Sequence, residues 1–246
     1  MPRFLIHPEQ LEEGRATLSG SQFRHAVRVL RLGLDDEVTL VTGNREYLAA
    51  VEQVTRSRLI ARVLSERPAE TELRVEVTLV QSLTKADRMD WIVQKCTELG
   101  TTCLIPVLTE RSIIKPDSTS GEARRIRWRR IAESAAQQSG RLAAMEIAPI
   151  VDLHDAVQQL GKNHLLIVPY EGEAKVSLRE AIMRRIERPV AIIIGPEGGF
   201  SADELERIRS AGGITVSLGP RILRTETAAV VSCALVMHEL GEIEPR

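Results

Sequence analysis

The chain has 246 residues, 43% hydrophobic and 27% charged, with a formal net charge of -1. This is the composition of a globular protein able to bury a core as one large domain or two modest ones, and it excludes a global attraction to nucleic acid, so any polyanion must be held by local basic patches. Three cysteines without C-x-x-C spacing, five scattered histidines and no signal-like N-terminal apolar run lead us to expect a soluble, cytoplasmic protein with no metal, disulfide framework or membrane span.

The first 70 residues read as a β-rich unit. Strands are expected over 38–41 and 47–54, flanking the turn Thr42-Gly43-Asn44-Arg45, and over 59–64. One helix interrupts them: Phe23, Ala26, Val27 and Leu30 make an apolar stripe, while Arg24, Arg28 and Arg31 fall at i, i+4 and i+7 on another face. Residues 21–31 carry these arginines and His25 with no acid, which makes them the first basic patch. The charge-rich segment 65–74, with Pro68, is the expected boundary.

From residue 75 strands and helices alternate. Strands are expected over 75–81, 103–108, 164–169, 190–194 and 214–218, and helices over 88–99, 121–140, 153–160, 178–186, 202–211 and from about 225 to 240. Alternation of this kind predicts a parallel sheet covered on both faces, with ligands at the carboxyl ends of the strands. The last helix is apolar around most of its circumference, as suits a core helix or one that also packs on a second subunit.

Two glycine-rich segments sit at such strand ends: IIIGPEGGFS (192–201), ahead of the capping box Ser201-Ala202-Asp203-Glu204, and LGPRILRTETA (218–228). Neither is a phosphate loop. A Lys-Ser/Thr pair and the G-x-G-x-x-G spacing are both missing, and Glu197 puts a carboxylate inside the first segment, which suits a cationic or hydroxyl-bearing ligand. Arg221 and Arg224 stand beside the second segment as permanent cations, fit for ion pairs with Glu197, Glu204 or Glu226, or for the oxygens of an anionic ligand. A second basic stretch, 111–141, carries eight Arg or Lys against Asp117, Glu122 and Glu133, and ends in Gln137-Gln138-Ser139-Gly140-Arg141. Amides and arginine together suit base edges and phosphates.

The motifs QKCTELG (94–100), TERS (109–112), QQSGR (137–141), IGPEGGFS (194–201) and LGPRILRTETA (218–228) occur in this order. In them the chain resembles the RsmE family of SPOUT-class RNA methyltransferases over nearly its full length. The resemblance implies a PUA-like β-barrel RNA-binding domain over 1–70 and an α/β SPOUT domain with a C-terminal trefoil knot over 75–246, an exception to the general absence of knots. It further implies a homodimer and methylation of N3 of one uridine in small-subunit (16S) ribosomal RNA, within the assembled subunit, with S-adenosylmethionine as donor. That donor carries a sulfonium and no phosphate, in keeping with Glu197. On this reading Gly195, Pro196, Glu197, Gly198, Gly199, Leu218, Gly219, Ile222, Leu223 and Thr227 hold the cofactor. Arg224 stabilises the developing base anion, Glu226 or solvent takes the proton, and Arg24, Arg28, Arg31, Arg111 and Arg141 contact RNA. A SPOUT enzyme acting on another RNA, or a non-catalytic RNA-binding assembly factor, is the alternative.

Overall fold

Polar and apolar residues alternate from Glu37 onward, and in the computed structural model of the chain this stretch forms the long strands of a single sheet. The structure describes residues 1–43, 45–68, 75–173, 175–183 and 188–243. They fall into two compact units, Met1–Glu72 with Ala136–Ala143, and Leu73–Ala135 with Ala144–Arg246.

The first unit contains β1 (Arg3–Leu5), β2 (Leu11–Glu12), β3 (Arg15–Ser19), α1 (Gly20–Arg24), β4 (Glu37–Thr42), β5 (Arg45–Val54) and β6 (Arg58–Pro68). The sheet order is β1-β4-β5-β6-β3-β2, antiparallel except for β1 beside β4. The expected hairpin is present, with Thr42 opposite Arg45 and Gly43 at φ +55 supplying its left-handed turn. Register shifts at Leu48/Ala49 and Val51/Gln53 mark bulges that bend the sheet around Phe4, Leu18, Leu40, Val51 and Leu59. Residues 65–68 of the expected boundary extend β6, and residues 69–74 lie outside the described residues.

The expected helix is corrected. α1 ends at Arg24 and passes into a π-helical turn, His25–Val29, after which Arg31 adopts φ +57. A π turn holds more residues than an α turn, so the i, i+4, i+7 alignment of Arg24, Arg28 and Arg31 is lost, and Leu30 leaves the apolar stripe to become 39% exposed. All three arginines remain exposed.

Glu46, 5% exposed on β5, is gripped by Arg67 at 2.7 Å and by Arg3 at 2.7 Å. Burial raises its pKa, but the hydrogen bonds and charges of the two guanidinium groups outweigh that and hold it below the unfolded value of about 4.5. A carboxylate depressed in the folded state stabilises the fold above the unfolded value, and that contribution disappears as pH falls through the folded one. The melting temperature of Glu46→Gln should therefore lie below that of the wild type at pH 7, with the gap narrowing as pH falls from about 4.5 through the lowered folded value. A gap that is the same at pH 7 and pH 3 would contradict this.

The second unit comprises β7 (Val77–Ser82), α2 (Ala86–Glu98), β8 (Cys103–Leu108), α3 (Ser118–Ser139), β9 (Glu146–Ile147), β10 (Val151–Asp152), α4 (Leu153–Leu160), β11 (Leu165–Pro169), α5 (Leu178–Met183), β12 (Val190–Ile194), α6 (Ala202–Ser210), β13 (Ile214–Val216) and α7 (Thr225–Glu239). The last turn of α3 groups with the first unit. The sheet is parallel throughout in the order β10-β8-β7-β12-β11-β13, with β9 beside β8. Residues 184–186 of the expected fifth helix lie outside the described residues.

Each strand sends alternate residues to opposite faces. Leu79, Ile167, Ile192 and Ile194 join α2, α3, α5 and α7 in one core. Val80, Val168, Ala191 and Ile193 join α4 and α6 in the other. The parallel α/β architecture expected from the alternation is thus observed. Chain order matters here: β12 is followed by β13 at the far side of β11, and the chain then returns so that α7 packs on β12 and β7. Among the described residues no helix is long and apolar enough to cross a membrane.

Cys96 and Cys233 are buried and Cys103 is partly covered. The Cys96 thiol is pushed well up by its hydrogen bond with Cys233 and by burial, and Cys103 is raised to about 12 by burial and by the charges of Glu146 and Glu76. Native protein at pH 8 should react with Ellman's reagent only over hours, while guanidinium releases three fast thiols per chain. A thiol reacting within seconds in native buffer contradicts this.

Candidate active site

In a parallel sheet every strand ends on the same side, so the segments following β11, β12 and β13 converge. They enclose a cavity of about 1080 Å³ lined by Tyr170 and Glu171 after β11, by residues 195–200 after β12 and by residues 218, 219 and 221–225 leading into α7. The volume lies at the upper end of ordinary small-molecule sites, ~300–1,000 Å³, which leaves room for a nucleoside-sized cofactor and a second reacting group.

Buried hydrogen bonds fix these walls. The Thr225 hydroxyl donates to the Gly195 carbonyl at 2.7 Å and accepts from the Gln81 amide at 3.1 Å. Gln81 also donates to the Ser82 carbonyl at 2.9 Å, and the Ser82 hydroxyl donates to the Ile194 carbonyl at 2.8 Å. The ends of β7 and β12 and the start of α7 are thereby tied into one block. Past the loop, Ser201 and Glu204 close the expected capping box, with Ser201 N donating to Glu204 Oε2 at 2.8 Å and Glu204 N to Ser201 Oγ at 3.3 Å.

The carboxylate of Glu197 accepts from Arg88 Nη1 at 2.8 Å and from the Thr84 hydroxyl at 3.0 Å. Arg88 Nε also stands 3.7 Å from Glu226. Arg111 lies in the cavity wall and donates to the Gly198 carbonyl at 2.8 Å. Arg88 and Arg111 thus hold the first glycine segment from outside the chain stretch that forms it.

Arg224 lines the cavity at the N-cap of α7, exposed, and its guanidinium has no partner among the described residues. Gly195, Pro196, Glu197, Gly198, Gly199, Leu218, Gly219, Ile222 and Leu223 all line the cavity too. Thr227 does not: two residues along a helix is a turn of ~200°, which puts Thr225 on the wall and Thr227 on the face shared with Val231 and Leu235. In the first unit Arg24, Arg28 and Arg31 are exposed, whereas Arg141 is only 7% exposed and so does not offer its side chain to solvent. Sequence reasoning missed Arg88, Gln81, Thr225, Tyr170 and Glu171. The single available signal was Glu197 itself, since a carboxylate in a ligand loop requires a counter-cation.

These residues fit S-adenosylmethionine. A Cβ on Gly195 would lie 3.1 Å from the Phe200 ring, and Gly199 and Gly219 hold φ +68 and +100, so main chain, not side chain, forms the wall. Ile194, Leu218 and Leu223 offer apolar surface to a purine, and the anionic Glu197 is already paired where a phosphate would be repelled.

Comparison with known families gives the class first. A model described as an RNA methyltransferase domain matches residues 71–237, and one described as an RNA methyltransferase PUA domain matches residues 18–64. The chain belongs to the ribosomal RNA small subunit methyltransferase E family. It is 30% identical to the Bacillus subtilis ribosomal RNA small subunit methyltransferase E, with 97% of each chain covered. The Aquifex aeolicus relative of the same name is 32% identical, covering 95% of this chain and 99% of that one. Among solved structures, the Neisseria gonorrhoeae ribosomal RNA small subunit methyltransferase E bound to S-adenosyl methionine aligns at a TM-score of 0.87 and 32% identity over 97% of both chains.

Proposed function

We propose that the protein transfers a methyl group from S-adenosylmethionine to N3 of one uridine in 16S ribosomal RNA, in the cytoplasm, on the assembled small subunit. The carrying observation is the cavity at the strand ends: main-chain walls suited to a nucleoside without phosphate, with Arg209, Arg221 and Arg224 on its lining, all exposed and unpartnered among the described residues, and Arg224 alone of the three at the N-cap of α7. Family membership over the whole chain supports the substrate. Residues 1–70 act as the PUA-like RNA-holding domain and residues 75–246 as the SPOUT transfer domain. The return of the chain from β13 over to β12 and β7 supports a trefoil knot. Val231, Ala234 and Leu235 leave an apolar outer face on α7, which supports a homodimer.

When bound, the cofactor supplies a methyl group already activated by its sulfonium. The work left to the chain is to orient the uracil and stabilise it once N3 has lost its proton. Arg224 does this with fixed donors aimed at the uracil oxygens, and as a permanent cation it cannot itself take the proton. Glu226 is absent from the cavity wall and faces Arg88, so the proton leaves to solvent at the open mouth. Arg88 and Thr225 hold the two segments in register so that cofactor and base meet in line.

The test is to incubate the protein and the methyl donor with small ribosomal subunits from a strain lacking the gene and to map modified uridines by mass spectrometry. N3-methyluridine at a single site is expected, and its absence sinks the proposal. Free 16S ribosomal RNA run in parallel should be modified far more slowly; equal rates remove the preference for the assembled subunit.

A further inference from the structure

In the first unit, the stretch from the end of the π turn to β4 exposes apolar side chains to solvent. Val29 and Leu34 are each 65% exposed and Leu30 is 39% exposed. Large aliphatic side chains grouped on a surface mark a patch made to be covered. The backbone beneath them is fixed. Leu30 N donates to the His25 carbonyl at 3.0 Å, Leu32 N to the Ala26 carbonyl at 3.0 Å, and Asp35 N to the Val51 carbonyl at 2.9 Å. Arg31 and Asp35 hold φ of +57 and +65, the left-handed region that costs non-glycine residues energy. Strain of this kind and π turns gather at functional sites.

Charge decides what covers the patch. Arg24, Arg28 and Arg31 precede or interrupt it in the chain and are exposed, and none of their guanidinium groups has a partner among the described residues. The acids that follow them in the chain make no ion pair with them among the described residues: Asp36 accepts from Gly33 N at 2.8 Å, while Asp35 and Glu37 stand at the entry to β4. Unpaired guanidinium groups around aliphatic side chains fit a polyanion with stackable bases better than they fit a second protein surface, because phosphates satisfy the cations while apolar wedges enter between base steps.

We propose that Val29, Leu30 and Leu34 form an apolar wedge that inserts between stacked bases of the substrate RNA, while Arg24, Arg28 and Arg31 hold the flanking phosphates. The wedge rests on the reading of the protein as an RNA methyltransferase and adds to it the means by which structured RNA is unstacked. A uridine stacked in folded RNA must leave its stack before its N3 can reach a methyl donor.

The experiment compares wild type, the double variant Val29→Ser/Leu34→Ser and the apolar control Val29→Ile/Leu34→Met. Hairpins taken from the small-subunit ribosomal RNA, with 2-aminopurine in the stem, report unstacking by fluorescence, and labelled donor reports transfer to small subunits. The serine variant should bind RNA within about threefold of wild type with an unchanged salt slope, keep its thermal unfolding curve and give no fluorescence rise. Its methyl transfer should fall at least tenfold, and the apolar control should behave as wild type. Wild-type protein that binds the hairpins without a fluorescence rise overturns the wedge whether or not methyl transfer occurs. A fluorescence rise without any methyl transfer leaves the wedge standing and overturns the transfer reading instead. A serine variant with wild-type rates, or one whose defect tracks a lost dimer in sedimentation, assigns the patch to another role and overturns the wedge.

Discussion

Replacing Arg224 with alanine is expected to lower kcat by roughly two orders of magnitude, about 2.7 kcal/mol of transition-state stabilisation, while cofactor affinity changes less than about threefold. The split follows from where the side chain sits. Arg224 lies on the cavity rim with no partner among the described residues, so its removal orphans none of them and leaves the Thr225, Gln81 and Gly195 hydrogen bonds in place. On the proposed mechanism, what is lost is a positive charge beside a base that becomes anionic only as it reacts. Lysine should restore part of the rate, since it returns the charge without the planar pair of donors. Calorimetry with S-adenosylmethionine and single-turnover transfer to small subunits check both halves. A mutant with near-normal turnover removes Arg224 from the mechanism.

Gly195→Val should do the reverse, weakening cofactor binding by a hundredfold or more. The first added carbon already lies 3.1 Å from the Phe200 ring, and the two further methyl groups of valine must displace that ring or enter the cavity. Phe200 is itself buried, so it has little room to yield. Overpacking of this kind costs ~1–3 kcal/mol of stability, and the variant should melt several degrees lower. Titration of the variant with S-adenosylmethionine settles the matter: tight binding would mean that the ligand does not approach the β12 end.

The sheet and the location of the site could be read from the sequence because both rest on local patterns. The run Val190–Ile194, β-branched and ending in glycine, announces a buried strand followed by close main-chain approach, and the strand ends at 194 as expected. What could not be read depends on partners far apart in the chain. Arg88 stands at the expected start of a helix, and only the fold brings it to Glu197, 109 residues away. Thr225 and Thr227 could not be told apart before the phase of α7 was known. The π turn at His25–Val29 has no distinct signature, since its apolar residues also satisfy an α-helical stripe. The burial of Arg141 was equally hidden: a lone arginine after a helix reads as a surface group until its neighbours are placed.

The hydroxyl of Thr225 joins positions contributed by three distant parts of the chain, at 81, 195 and 225. The cavity wall is therefore complete only once all three are in place. Strands β7 to β12 can pair as they emerge, and Arg88 and Arg111 can hold the loop after β12, yet the Gly195 carbonyl lacks the Thr225 hydroxyl until α7 has come back across the sheet. Contacts of such sequence separation form late and carry a large loop-closure cost, so docking of the C-terminal helix is the step that converts a folded sheet into a binding-competent protein. Ligand affinity consequently reports completion of the chain's last passage, and a molecule stalled before it would have native-like secondary structure and no capacity for the donor.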